Sequence, residues 1–137
     1  MIVVDASLVI AWLVTDELPA ESTGIYARLP DQLLLAPSHW TIEISNALRS
    51  RRKAGRLSIS DFHAILERLD LLSVDVQPAP ELDEIGPLAE FALTHALTTY
   101  DAAYVQLALQ RSVPLATLDR EMRNSAAKLN IPLLPDY

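Results

Sequence analysis

Short apolar runs alternate with longer stretches whose apolar positions recur at helical spacing. Ile2-Val3-Val4 is continuous and β-branched, the signature of a buried strand. Ala6 to Val14 is apolar and reads as a largely buried helix. Asp16-Glu17-Leu18-Pro19 breaks it, and Pro19 suits the first turn of a helix reaching about Arg28. Pro30-Asp31 is a turn, and Leu33 to Ala36 is the second strand. Pro37-Ser38 opens a long helix with the stripe Trp40, Ile44, Ala47 and Leu48, ending near Ala54-Gly55 with Gly55 as its C-terminal cap. Ser60 is the expected N-cap of a helix carrying Phe62, Ile65, Leu66, Leu69 and Leu72. Ser73 to Val76 is a third strand, and Gln77 to Pro80 a loop. Leu82 to His95 is helical, with Pro87 in its early turns or marking a later start. Thr99 is expected to cap a central helix from Tyr100 to Gln110. Pro114 to Leu118 is a fourth strand, Glu121 to Leu129 a helix, and Ile131 to Leu134 a last strand placed at an edge by Pro132. Alternating strands and helices imply an α/β fold with a mostly parallel sheet of four to five short strands, covered on both faces.

At 137 residues the chain is expected to form a single domain, residues 1–137, with enough buried surface to fold without staples. Half of its residues are apolar, which argues against disorder. It contains no cysteine, so disulfides, thiolate zinc sites and thiol nucleophiles are excluded together. No signal peptide is recognisable, and the apolar run from Leu8 to Val14 is too short to span a bilayer. These features predict a soluble, cytoplasmic protein without membrane association. The three glycines form no phosphate-cradling loop.

Net charge is −7, which does not suggest a general nucleic-acid binder. The cations are nevertheless clustered: Arg49, Arg51, Arg52, Lys53 and Arg56 make up nearly half of the Lys and Arg. They read equally as a basic patch for a polyanion and as helix-end charges that complement the dipole.

The candidate chemistry lies in carboxylates at strand ends. Asp5 follows the first strand, Asp119 the fourth, Asp101 opens the central helix, and Glu43 borders the apolar stripe of the long helix. Singly, Asp5 and Asp119 are explained as helix caps and Asp101 as a favourable dipole charge. Together they define one edge of a parallel sheet, where ligands of open α/β folds bind. Two carboxylates 4 Å apart repel by roughly 4 kcal/mol at an effective dielectric of 20, so a converging set needs a cation or protons. Oxygen donors without Cys or paired His select Mg²⁺ or Mn²⁺ over Zn²⁺. Thr117, Ser7 and Asn46 are the polar neighbours placed to orient the acids; local backbone bonding is the competing use of Thr117 and the preferred one of Ser7. His39, His63 and His95 are scattered and read as core or surface residues. Tyr100 and Tyr104 read as packing residues with a polar tip.

Asp5-Ala6-Ser7, Glu43-Ile44-Ser45-Asn46-Ala47-Leu48, Leu97-Thr98-Thr99-Tyr100-Asp101-Ala102-Ala103-Tyr104 and Ala116-Thr117-Leu118-Asp119 follow one another as the successive motifs of PIN-domain nucleases. The chain resembles that family throughout, most closely the VapC-type toxins of toxin–antitoxin systems. The resemblance implies an α/β/α sandwich and a Mg²⁺- or Mn²⁺-dependent endoribonuclease that leaves a 5′-phosphate and a 3′-hydroxyl. It implies Asp5, Glu43, Asp101 and Asp119 as metal-binding catalytic acids, a homodimer, and a cognate antitoxin whose tail occupies the site. Arg49, Arg51, Arg52, Lys53 and Arg56 would then meet RNA or antitoxin. Many relatives carry an aromatic residue a few positions after the last acid, where this chain has Met122. The alternative is a non-catalytic PIN module, its acids a metal-stabilised cluster, that binds RNA or protein. A phospho-acceptor receiver ranks last, because paired acids after the first strand and a late-strand Lys are absent.

Overall fold

The computed structural model describes residues 1–14 and 23–136. The break at Asp16–Pro19 and the start of the helix expected there lie outside the described residues. Five strands form a single parallel sheet in the order β3-β2-β1-β4-β5. They are β1 (Ile2–Val4), β2 (Leu34–Ala36), β3 (Val74–Val76), β4 (Leu115–Ala116) and β5 (Leu133–Leu134). Val3 pairs with Leu35 on one side and Leu115 on the other, and all three are fully buried. Buried on both faces, such strands read as unbroken apolar runs.

The helices are α1 (Ala6–Leu13), α2 (Thr23–Tyr26), α3 (Trp40–Lys53), α4 (Ile59–Asp70), α5 (Ile85–Thr94), α6 (Thr99–Arg111) and α7 (Arg120–Lys128). One layer packs α1 against α3 and α4; the other centres on α6, which meets α5, α7, β1 and β4. The α/β/α sandwich is therefore the observed architecture. Tyr104 and Val105 of α6 are fully buried against the sheet, as the apolar run in that helix required. The chain builds β1, β2 and β3 outward in one direction, then returns across the sheet to add β4 and β5 on the other side. The crevice at the carboxyl ends of β1 and β4 is thus the topological switch point.

Several boundaries differ from the sequence reading. Ser58, rather than Ser60, caps α4, its side chain accepting the Asp61 amide at 3.0 Å. Thr98, rather than Thr99, caps α6, with Oγ1 accepting the Asp101 amide at 3.2 Å. In both cases the capping residue is extended and an Asp follows three positions later, which sets the start of the helix. Pro87 lies in the first turn of α5, preceded by the 3₁₀ turn Leu82–Glu84. Strand β4 is two residues long; Thr117, just beyond it, still donates its amide to the Leu134 carbonyl at 3.1 Å while its hydroxyl faces Asp5. Gly55 closes α3 with φ of 72°, the left-handed conformation expected of a cap. Strand β5 is at the edge. Arg123 ties it in, donating to the carbonyls of Thr117 (2.9 Å), Leu134 (3.3 Å) and Pro135 (2.7 Å).

Candidate active site

Asp5 ends β1 and caps α1, its Oδ1 accepting the Ser7 amide at 3.3 Å. Only 4% of the residue is exposed. Its other oxygen accepts the hydroxyls of Ser7 and Thr117, the latter at 2.9 Å. Thr117 is fully buried, and its Oγ1 also accepts the Asp119 amide at 3.0 Å. One hydroxyl therefore fixes the acid after β1 to the backbone of the acid after β4, across the switch point. Asp119 caps α7, accepting the Met122 amide at 2.8 Å. Met122 itself is buried in the core.

Glu43 approaches from α3. Its Oε1 accepts the Tyr104 hydroxyl at 2.8 Å and lies 3.0 Å from His39 Nε2, one turn earlier on the same helix. The Tyr104 bond joins α3 to α6 above the sheet edge. Asp101, in the first turn of α6, is half-buried.

Electrostatics ties the four acids together. Burial pushes the Asp5 carboxyl up; bonds from Ser7 and Thr117 oppose this, and the Glu43 charge adds to it. Burial and the Asp119 charge push Asp101 up, with Glu43 contributing in the same direction. Burial also acts to raise Glu43, but the contacts with His39 and Tyr104 outweigh it and leave the carboxyl below its ordinary range. Burial and the Glu43 bond push the Tyr104 phenol well up, so it acts as a donor. Among the described residues, no three His, Cys, Asp or Glu side chains stand ready-made around one ion. The acids thus share one electrostatic neighbourhood without a closed shell of ligands. Buried Asp5 and half-buried Asp101, both raised by burial and by neighbouring acids and offering oxygen donors alone, suit a hard divalent cation.

Two contacts were not anticipated from the sequence. The sequence suggests a core or surface role for His39 and a packing role with a polar tip for Tyr104, yet both touch Glu43. Their spacing held a faint signal: His39 is four residues before Glu43, and Tyr104 three after Asp101. Ser7, for which local backbone bonding is the preferred reading, uses both its amide and its hydroxyl on Asp5. Asn46 is exposed one turn beyond Glu43, without a hydrogen bond to the acids.

The basic segment divides. Arg51 shares a cleft of about 300 Å³ with Ser7 and Glu43. Arg49 and Arg52 line a groove between α3 and α4, and Arg52 sits 5.8 Å over the Phe62 ring. Arg56 faces a hollow with Asp61 and Arg68, and Lys53 is exposed. Another cavity, of about 310 Å³, is lined by His39 and Tyr100 but not by Glu43.

The chain is 32% identical over 125 residues to a protein named Ribonuclease VapC12 from Mycobacterium tuberculosis, covering 91% of this chain and 92% of the relative. It is 28% identical over 131 residues to Ribonuclease VapC3 from Pyrobaculum aerophilum, covering 96% and 98%. The crystal structure of PAE2754 from Pyrobaculum aerophilum superposes with a TM-score of 0.68 at 26% identity, covering 96% of this chain and 81% of that one. FitAcB from Neisseria gonorrhoeae shares the fold, with a TM-score of 0.64 at 17% identity over 97% and 96% of the two chains. No helix among the described residues is long and apolar enough to cross a membrane. The PIN domain family model matches residues 2–128, and the chain belongs to the PIN-domain family.

Proposed function

We propose that this protein is a Mg²⁺- or Mn²⁺-dependent endoribonuclease and the toxin of a VapBC-type toxin–antitoxin pair. The observation that carries the reading is the buried Asp5 carboxylate, held by Ser7 and Thr117 at the switch point of the sheet. The names of the relatives supply the activity class.

Asp5, Glu43, Asp101 and Asp119 would hold the ion directly or through water. When bound, the ion supplies Lewis acidity toward a phosphodiester and a nucleophile at neutral pH. The chain's own residues make the site receptive. Thr117 and Ser7 keep Asp5 in one orientation, and their bonds favour its charged form. Tyr104 and His39 hold Glu43 charged at the mouth of the crevice. Arg51, in the cleft beside Glu43, is placed to receive a substrate phosphate. Attack by water in line with the 3′-oxygen leaves a 5′-phosphate and a 3′-hydroxyl. In the cell, a homodimer in the cytoplasm would be silenced by a cognate antitoxin whose tail fills the crevice.

The test is RNA cleavage by protein stripped of metal and reloaded with Mg²⁺ or Mn²⁺. Metal-dependent cutting should vanish in Asp5→Asn and Asp101→Asn. Unchanged cutting in both variants would refute the reading. Metal binding without cleavage or growth arrest would support the non-catalytic module, which the open ligand arrangement keeps in play.

A further inference from the structure

The cleft lined by Glu43 and the cavity lined by its neighbour His39 differ in chemistry. Arg51 lies in one, together with Ser7. The other contains no Lys or Arg, and its lining includes Pro37, Pro78, Leu107 and the carboxylate of Glu84. Such a surface disfavours a phosphate but accepts a flat, uncharged ring. Tyr100 stands at its rim, 67% exposed, next in sequence to Asp101. The Tyr100 ring meets His39 edge-on at 5.5 Å, which leaves a face for another ring. Gln106 and Gln110, one turn apart on α6, line the same hollow without side-chain hydrogen bonds to the described residues. An amide side chain offers donors and an acceptor together, the pattern that reads the edge of a base. The third glutamine, Gln77, is already engaged: it accepts from Arg111 at 2.6 Å and donates to the Asp75 carbonyl at 3.2 Å. Glu84 is occupied in part by capping the Glu81 amide.

We propose that this hollow is a nucleobase subsite: one unpaired base of the RNA, next to the scissile phosphate, stacks on Tyr100 and presents its edge to Gln106 and Gln110. The proposal rests on the ribonuclease reading and names the form of substrate it takes. At about 310 Å³ the hollow is at the small end of ligand pockets, too small for a paired helix. Single-stranded RNA is recognised in this way, by bases splayed onto aromatic rings with their edges hydrogen-bonded. The contacting pair His39 and Glu43 then links a base side, with Tyr100, to a phosphate side, with Arg51.

The experiment uses the full chain carrying Asp5→Asn, with Mg²⁺ present and a short fluorescent single-stranded RNA cut by the parent protein. If the parent cuts nothing, mixed-sequence hexamers serve instead. Binding is followed by anisotropy, and each position of the RNA is made abasic in turn. At one position, loss of the base should weaken binding about 5- to 150-fold, the range for a single stacked base. Adding Tyr100→Ala should cost as much with intact RNA and nothing further with that abasic RNA. Gln106→Leu should change which base is preferred there. Equal affinity across the abasic series, or fully additive losses, would overturn the proposal. Cleavage by the parent without this base dependence would sink the subsite and leave the ribonuclease reading standing. Base-dependent binding without cleavage would do the reverse. Unchanged RNA binding by Tyr100→Ala, with lost growth rescue by the product of the adjacent upstream reading frame, would assign the hollow to a peptide and overturn the proposal.

Discussion

Thr117→Val tests whether one hydroxyl holds the switch point together. Valine keeps the shape of threonine and removes both bonds: Oγ1 to the Asp5 carboxylate at 2.9 Å, and the Asp119 amide to Oγ1 at 3.0 Å. A hydrogen bond to a charged group contributes about 1.5–3 kcal/mol, and a buried amide left unpaired costs about 1–3 kcal/mol. Asp119 is only half-buried, so water recovers part of the second cost. The added methyl gains at most about 0.8 kcal/mol in an already buried position. The balance is a loss of about 2–4 kcal/mol. At about 2.1 cal/mol/K per residue, a chain of 137 residues has an unfolding entropy near 0.29 kcal/mol/K, so Tm should fall roughly 7–14 °C. Thermal unfolding of metal-free Thr117→Val and Thr117→Ser, beside RNA cleavage below either midpoint, separates hydroxyl from methyl. Serine keeps the bridge and should retain cleavage, while valine should lose most of it. If valine matches the parent in both assays while serine is impaired, the methyl packing matters, and the bridge between Asp5 and Asp119 is refuted.

Asp5→Asn should stabilise the metal-free protein at neutral pH while abolishing cleavage. Burial raises the Asp5 carboxyl, so its favourable contribution is full below the unfolded value and is lost as pH rises through the folded one. Asparagine keeps the helix cap and never ionises, so its advantage in urea titrations should shrink as pH falls into the ordinary aspartate range; an advantage that grows toward acid would contradict the assignment. Tyr104→Phe removes the 2.8 Å bond to Glu43. If water restores half of a bond worth about 1.5–3 kcal/mol, kcat/KM should fall roughly 4- to 12-fold with the circular dichroism spectrum unchanged, and full activity would dismiss Tyr104 as a positioning residue. Arg123→Met releases three carbonyls at the end of β4 and along β5, and should lower stability by about 2–4 kcal/mol in chemical denaturation, whereas a loss under 1 kcal/mol would mean the clamp is redundant.

The sequence alone determined most of the elements and singled out four acids. Ile2-Val3-Val4, Leu34-Leu35-Ala36 and Leu115-Ala116 are buried on both faces, and a strand so placed must be apolar at every position. The period of the Trp40, Ile44 and Leu48 stripe fixed which face of α3 packs inward and left Glu43 at its border. Local chemistry was less sharp at boundaries. Ser58 and Ser60, or Thr98 and Thr99, are equivalent candidates for a cap until backbone angles choose between them. Only the tertiary structure decided what the acids touch. Thr117 is 112 residues from Asp5, and Tyr104 is 61 from Glu43, separations across which no periodicity carries information. The same is true of the basic segment. Five cations adjacent in sequence point several ways because successive helical positions rotate by about 100°, and among them Arg51 is the one sharing a cleft with Glu43. Sequence thus named the carboxylates; the order of strands in a parallel sheet brought their ends to one crevice and gave each its neighbours.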